Sequence, residues 1–308
     1  PVDRLLPELA DRQVLRSLES EATDTVPANR AITLRDLLTF TFGQGLVFAW
    51  PGTYPIQTAI EEAGLGPHPP QPASDPEPDE WMRRLGTLPL IYQPGERWLY
   101  NTGSDVLSVL IARASGQDLE TFMGERIFDP LGMKDTGFSV PAENIDRLTT
   151  NYGTNFETGA LELYDAAEGG AWSTAPAFPS GAGGLVSTID DYLAFAQMLL
   201  NGGKLGNTRI LSRPTVELMT TNQLTPEQRV SAGFLDQGWG FGVAMVLERR
   251  DVIPVGAYGW DGGLGTTWRN DPAEDLISIM LTEASWTSST PPAICRDFWT
   301  TAYASLDD

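Results

Sequence analysis

A chain of 308 residues that is 41% hydrophobic, with nine Trp and twelve Phe, has apolar surface enough for one or two folded domains. A formal charge of −21 argues against nucleic acid or an anionic membrane as partner, because binding phosphates needs a basic face. One cysteine, Cys295, and one histidine, His68, exclude an intrachain disulfide, a cysteine-based metal site and a His-ligated zinc site.

Val2, Leu5, Leu6 and Leu9 predict a short amphipathic turn or helix ending near Ala10, and residues 17–30 read as polar and irregular. Thr33 reads as the N-cap of a helix through Leu37 and Leu38, stopped by Thr41-Phe-Gly43. Ile56 to Ala63 looks helical. Gly66 to Pro78 carries six prolines and reads as a surface loop. His68 sits in that loop as a solvated residue, poorly placed to serve a Ser–His–Asp triad. Glu80 to Leu85 predicts a short helix, Val106 to Ala114 an apolar helix ended by Gly116, and Leu119 to Ile127 another. Residues 141–180 read as loop and short strand. A Gly-rich approach, Ser180 to Gly184, leads to an N-cap at Ser187 or Thr188 and a buried helix from Tyr192; it has neither Gly-Lys-Ser/Thr nor Rossmann spacing, which argues against a phosphate loop. Arg213 to Thr220 is helical. From Gly238 the period changes to two, predicting strands at Trp239–Leu247, Pro254–Tyr258, Gly265–Arg269 and Leu276–Thr282, then a terminal helix at Phe298–Leu306. The pattern is α+β, with a mostly helical lobe over 1–180 and a helix, antiparallel sheet and C-terminal helix over 181–308. No apolar run approaches the roughly 18 residues of a membrane span.

The stretch Pro94-Gly-Glu-Arg-Trp-Leu-Tyr100-Asn-Thr-Gly runs turn, aromatics, turn, helix, a geometry that presents one side chain at a helix entrance. The candidate is Tyr100, either a buried ring with a satisfied hydroxyl or a proton carrier. A second candidate is Tyr258-Gly-Trp260-Asp261-Gly262-Gly263-Leu-Gly265, whose glycines permit close backbone approach or simply make a hairpin turn. Phe48, Trp50 and Trp172 suit an acyl pocket or core packing equally well.

Six segments in order resemble the serine β-lactamase-related superfamily of class C β-lactamases, DD-peptidases and family VIII esterases. They are Pro1-Val-Asp-Arg-Leu-Leu-Pro-Glu-Leu, Ile32-Thr-Leu-Arg-Asp-Leu-Leu-Thr-Phe-Thr, Gln93-Pro-Gly-Glu-Arg-Trp-Leu-Tyr-Asn-Thr-Gly, Ser115-Gly-Gln, Pro130-Leu-Gly-Met-Lys-Asp-Thr-Gly-Phe and Gly183-Gly-Leu-Val-Ser-Thr. The resemblance implies an all-helical lobe packed on an antiparallel sheet with flanking helices. It also implies acyl-enzyme hydrolysis of a small ester or amide, with no cofactor or metal. Tyr100 falls at the family's tyrosine, with Asn101 or Thr102 at its asparagine. Trp260 replaces the cation of a Lys-Thr-Gly motif, giving a Trp-x-Gly triplet similar to that of family VIII esterases and favouring neutral esters. Gly263 N–H falls at the oxyanion donor, and Asp261 and Gly262 line the substrate. The family's Ser-x-x-Lys pair is missing: Leu131 and Asn201 stand three residues before Lys134 and Lys204. The expectation is that an N-terminal segment bearing the nucleophile lies outside this chain. A non-catalytic binder and a β-lactamase or DD-peptidase proper are the alternatives.

Overall fold

A computed structural model describes residues 1–66, 70–155, 158–288 and 290–306. His68, expected in a solvated loop, lies outside the described residues. In chain order the elements are β1 (Gln13–Leu15), β2 (Thr25–Pro27), α1 (Leu34–Leu38), α2 (Pro55–Glu62), α3 (Pro78–Thr87), α4 (Thr102–Ser115), α5 (Leu119–Met123), α6 (Asp129–Leu131), β3 (Asn151–Thr154), β4 (Leu161–Asp165), α7 (Ile189–Leu200), β5 (Lys204–Leu205), β6 (Thr208–Arg209), α8 (Arg213–Met219), α9 (Pro226–Ser231), β7 (Gln237–Trp239), β8 (Ala244–Val246), β9 (Tyr258–Gly262), β10 (Thr266–Asp271), β11 (Leu276–Leu281) and α10 (Ala293–Ala304). This is the expected mixture of helices with an antiparallel sheet. Where the sequence suggests one boundary near residue 180, contacts group the chain into two interleaved units. One comprises Pro1–Phe122, Pro176–Gly184 and Gln223–Leu235; the other comprises Met123–Ala175, Leu185–Asn222 and Asp236–Asp308.

In the first unit, Val2, Leu6 and Leu9 enter the core from a short 3-10 turn at Pro7–Leu9, joining Leu37, Phe42, Trp81, Met82, Val106 and Phe178. The segment 17–30, read as irregular, contains β2, which pairs with β1 just before it in register Val14↔Val26; three-residue strands are too short for alternation to register in sequence. Helix α1 starts as expected. Thr33 accepts from Asp36 N–H at 3.3 Å, and the Asp36 carboxylate accepts from Thr33 N–H at 2.8 Å. Arg30 then grips Asp36 bidentately at 2.7 and 2.8 Å. Burial pushes the Asp36 carboxyl up, but Arg30 and the Thr33 groups outweigh it and hold the pKa below the usual range. The folded value is lowered, so the stabilisation is complete above the ordinary pKa near 4 and fades as pH falls through the folded value. Asp36→Asn should cost about 2 kcal/mol, a moderate figure because Arg30 is half exposed. Urea unfolding should show that gap at pH 7 and a smaller one at pH 3; an equal gap would assign the loss to the cap alone.

In the second unit, five antiparallel strands run in the order β11-β10-β9-β8-β7. Side chains alternate across β10. Trp268 packs edge-on to Tyr192 of α7 at 5.5 Å, while Arg269 lies 4.9 Å over Trp299 of α10. Asn270 is fully buried; it accepts from Trp268 Nε1, donates to Ala196 O of α7 at 2.7 Å and bonds Tyr258 Oη. The single strand expected at 239–247 is the β7–β8 hairpin, because Gly240 and Gly242 turn the chain and Gly240 N–H bonds Val243 O at 2.8 Å. The strand expected at 254–258 begins at Tyr258 instead; residues 254–257 form a turn, Ala257 N–H bonding Pro254 O. Gly259 lies inside β9 because a Cβ there would come within 1.9 Å of Trp268 O. The helix expected over 119–127 is α5 followed by a π-helical turn at Gly124–Phe128. The terminal helix begins at Ala293, behind Pro292. Thr188, rather than Ser187, caps α7, accepting from Asp191 N–H.

Candidate active site

In the first unit, Tyr100 precedes α4 and is half-buried. Its ring stacks on Trp98 at 5.7 Å with 21° between planes, and Phe40 lies 6.3 Å away on a tilt. Trp98 in turn packs on Phe234 at 4.8 Å. The backbone is held as firmly as the ring. Leu99 N–H bonds Phe40 O at 2.8 Å, and Tyr100 O accepts from Leu46 N–H at 3.0 Å and Thr102 N–H at 3.2 Å. The last of these closes a three-residue turn centred on Asn101, at φ +80° and ψ −68°, the strained form of the γ-turn. Asn101 occupies the N-cap of α4, yet its side chain caps no backbone N–H. Thr102 is the first helical residue and half-buried. Gly103 follows without a Cβ because one would lie 2.8 Å from the Phe40 ring.

The Gly-rich loop lies on α4. Asp105 accepts from Ser180 Oγ at 2.6 Å and Ala182 N–H at 3.3 Å, and Ser108 Oγ accepts from Gly181 N–H at 2.9 Å. A Cβ at Gly181 would fall 2.5 Å from that hydroxyl, so this glycine serves close packing. Of the aromatics considered for an acyl pocket, Trp172 is buried in core, while Phe48 and Trp50 are 70% and 86% exposed.

In the second unit, Trp260, Asp261 and Gly262 close β9, and Gly263 begins the turn to β10. The Asp261 carboxylate lies on the α10 side of the sheet, gripped bidentately by Arg269 at 2.8 and 2.7 Å and accepting from Thr267 Oγ1 at 2.6 Å. Its charge is therefore engaged within the sheet rather than offered outward. Trp260 stands edge-on to Trp239 at 4.8 Å. Every carbonyl of the 262–265 turn is tied. Gly262 O accepts from Gly265 N–H at 3.0 Å, Gly263 O from Trp286 N–H at 2.8 Å, Leu264 O from Asn151 Nδ2 at 2.9 Å and Gly265 O from Thr282 N–H at 2.9 Å. Gly263 itself is exposed, open space surrounds its α-carbon, and its N–H makes no hydrogen bond among the described residues.

The predicted residues thus form two sets, Tyr100, Asn101 and Thr102 in one unit and Trp260, Asp261, Gly262 and Gly263 in the other. Sequence reasoning missed Phe40 and Asp105. The available signal for Phe40 was a bulky residue directly after α1, where helices commonly end on glycine. Among the described residues, no group of three or more His, Cys, Asp or Glu is placed to hold a metal, and no helix is long and apolar enough to cross a membrane.

The chain is similar to Protein Rv1367c of Mycobacterium tuberculosis strain H37Rv, 36% identical over 292 residues that span 91% of this chain and 69% of the relative. It is 29% identical to Esterase EstB of Burkholderia gladioli, across 95% of this chain and 72% of that protein. Among solved structures, the LovD6 mutant of simvastatin synthase from Aspergillus terreus superposes with a TM-score of 0.72 at 25% identity, over 98% of this chain and 75% of that one. The tyrosine turn, the Trp-x-Gly strand end and the helices and strands from β1 to β11 all fall within residues 1–289, which match the beta-lactamase family, and the chain belongs to that family.

Proposed function

We propose that this protein is a serine hydrolase acting on neutral esters through an acyl-enzyme, with its nucleophile outside residues 1–308. The observation that carries the reading is the exposed Gly263, whose N–H has no partner among the described residues, on a turn whose carbonyls are all anchored. A donor held rigid and left open suits an oxyanion, since preorganised N–H groups stabilise developing charge at no reorganisation cost. Trp260, where the family's cation would stand, supports a neutral substrate, and the relative named an esterase supports an ester. Placing the nucleophile elsewhere rests on the absence of any Ser-x-x-Lys in the 308 residues.

In this reading a serine oxygen forms a bond to the acyl carbon and the ester C–O bond breaks. Tyr100 carries the serine proton to the departing alkoxide. Water then attacks the acyl-enzyme, its proton returns through Tyr100 to the serine, and the acid is released. The motifs assign substrate contact to Asn101 and Thr102 beside Tyr100 and to Trp260 and Gly262 beside Gly263, while Asp261 acts through the strand pair it braces.

The test is nitrophenyl-ester hydrolysis. Residues 1–308 alone should give no turnover above background, and the product of the complete gene should turn over. Turnover by residues 1–308 that Tyr100→Phe abolishes would place the nucleophile within them. No turnover by either, with no labelling by a fluorescent penicillin, would favour a binding protein that has lost the chemistry.

A further inference from the structure

Four non-glycine residues among those described have positive φ, and two of them, Phe40 at +57° and Asn101 at +80°, flank Tyr100. Left-handed backbone is uncommon for any L-residue and an outlier for a bulky one. Phe40 follows α1 in a glycine position. Thr41 N–H bonds Asp36 O at 2.8 Å and Phe40 N–H bonds Leu37 O at 3.2 Å, the paired bonds of a Schellman helix end. Glycine would complete that motif without strain. The chain instead holds a phenyl ring there, 4% exposed, and that ring explains the cost. It lies 6.2 Å from Trp98 and 6.3 Å from Tyr100, and it covers Gly103 in the first turn of α4. Strained residues persist where surrounding structure over-determines them, and they cluster at working sites.

We propose that Phe40 is a positioning residue for Tyr100: its left-handed backbone directs the ring against the Trp98–Tyr100 stack, fixing the phenol's direction relative to α4. The inference rests on the hydrolase reading above. Phe40 touches no reacting atom, and what it supplies is the orientation of the proton carrier, so its loss should appear in the chemical step and not in substrate affinity.

The experiment measures kcat and KM of the complete gene product on a nitrophenyl ester for wild type, Phe40→Leu, Phe40→His and Phe40→Gly, together with each melting temperature. Leu keeps apolar bulk without a planar ring, and kcat should fall at least tenfold with KM within about twofold. His keeps a planar ring and tolerates positive φ, and kcat should stay within about threefold of wild type. Gly relieves the backbone and removes the ring; it should resemble Leu in kcat whatever its melting temperature, and it stands in if Leu does not fold. Values of kcat that follow melting temperature rather than the ring would overturn the proposal, as would a ringless variant with wild-type kcat. If wild type itself turns over no ester, the hydrolase reading fails first and takes this inference with it.

Discussion

Replacing Tyr100 with Phe should lower kcat of the complete gene product toward a nitrophenyl ester by about 10²–10⁴-fold, the range for loss of a general acid–base group. The substitution deletes one oxygen and keeps the ring, so the stack on Trp98 at 5.7 Å and the contact with Phe40 persist. The three backbone bonds at Leu99 and Tyr100 do not involve the side chain and persist as well. The ring packing should therefore survive, and kcat and kcat/KM should fall together, the signature of an interaction made in the transition state. A Tyr100→Phe enzyme within threefold of wild type would return Tyr100 to the role of a packed ring. Tyr100→Ala is the weaker experiment, because it empties the stack as well.

The largest stability effect is expected at Arg12, which is buried in the first unit. Its guanidinium donates to four carbonyls, Glu8 O at 3.2 Å, Leu85 O at 3.3 Å, Gly86 O and Leu88 O. Three of these close the C-terminal end of α3, where helix carbonyls lack intrahelical partners and the helix dipole favours a cation. Burial pushes the Arg12 pKa down to about 10, so its charge costs folding something that the carbonyls offset. The folded value lies below the unfolded one, so Arg12's own contribution should rise as pH climbs through 10, against the opposite contributions of Tyr192, Tyr258 and Tyr303, whose pKa values burial raises. Arg12→Ala removes the side-chain donor from all four carbonyls, of which Leu85 O keeps Leu88 N–H at 3.2 Å, and opens a cavity. We expect a loss of about 4 kcal/mol, from roughly 1–3 kcal/mol per orphaned buried group with partial relaxation. Arg12→Lys should recover less than half, because an ammonium cannot reproduce the planar fork. Urea unfolding followed by two probes checks this, since a chain of two units need not unfold in one step. A loss below 1 kcal/mol for Arg12→Ala would mean that water replaces the guanidinium.

Helix starts were the most legible local features, because their signal is confined to adjacent residues: Thr33 before α1 needs only its own hydroxyl and the N–H three residues on. Turn chemistry was legible for the same reason, as in Gly116 ending α4 at φ +72°. The family resemblance, carried by short ordered segments, gave the mixed helix-and-sheet architecture and directed attention to Tyr100 and Trp260–Gly263. Strand limits were not legible. The glycines inside β9 read as turn, and only the approach of Trp268 O to Gly259 explains why a strand needs them.

By itself, then, the sequence determined the mixture of helix and antiparallel sheet, the exclusion of an intrachain disulfide, a cysteine-based metal site and a His-ligated zinc site, and the tyrosine and glycine motifs, all of which rest on residue identity or neighbours a few positions apart. Only the tertiary structure decided that Arg12 closes α3 from more than seventy residues away, that Asp261 is occupied by Arg269, and that a strained Phe40 lies beneath Tyr100. Each of those facts depends on which distant groups meet, and a burial or an ion pair between distant positions leaves no periodicity in the chain for a reader to find.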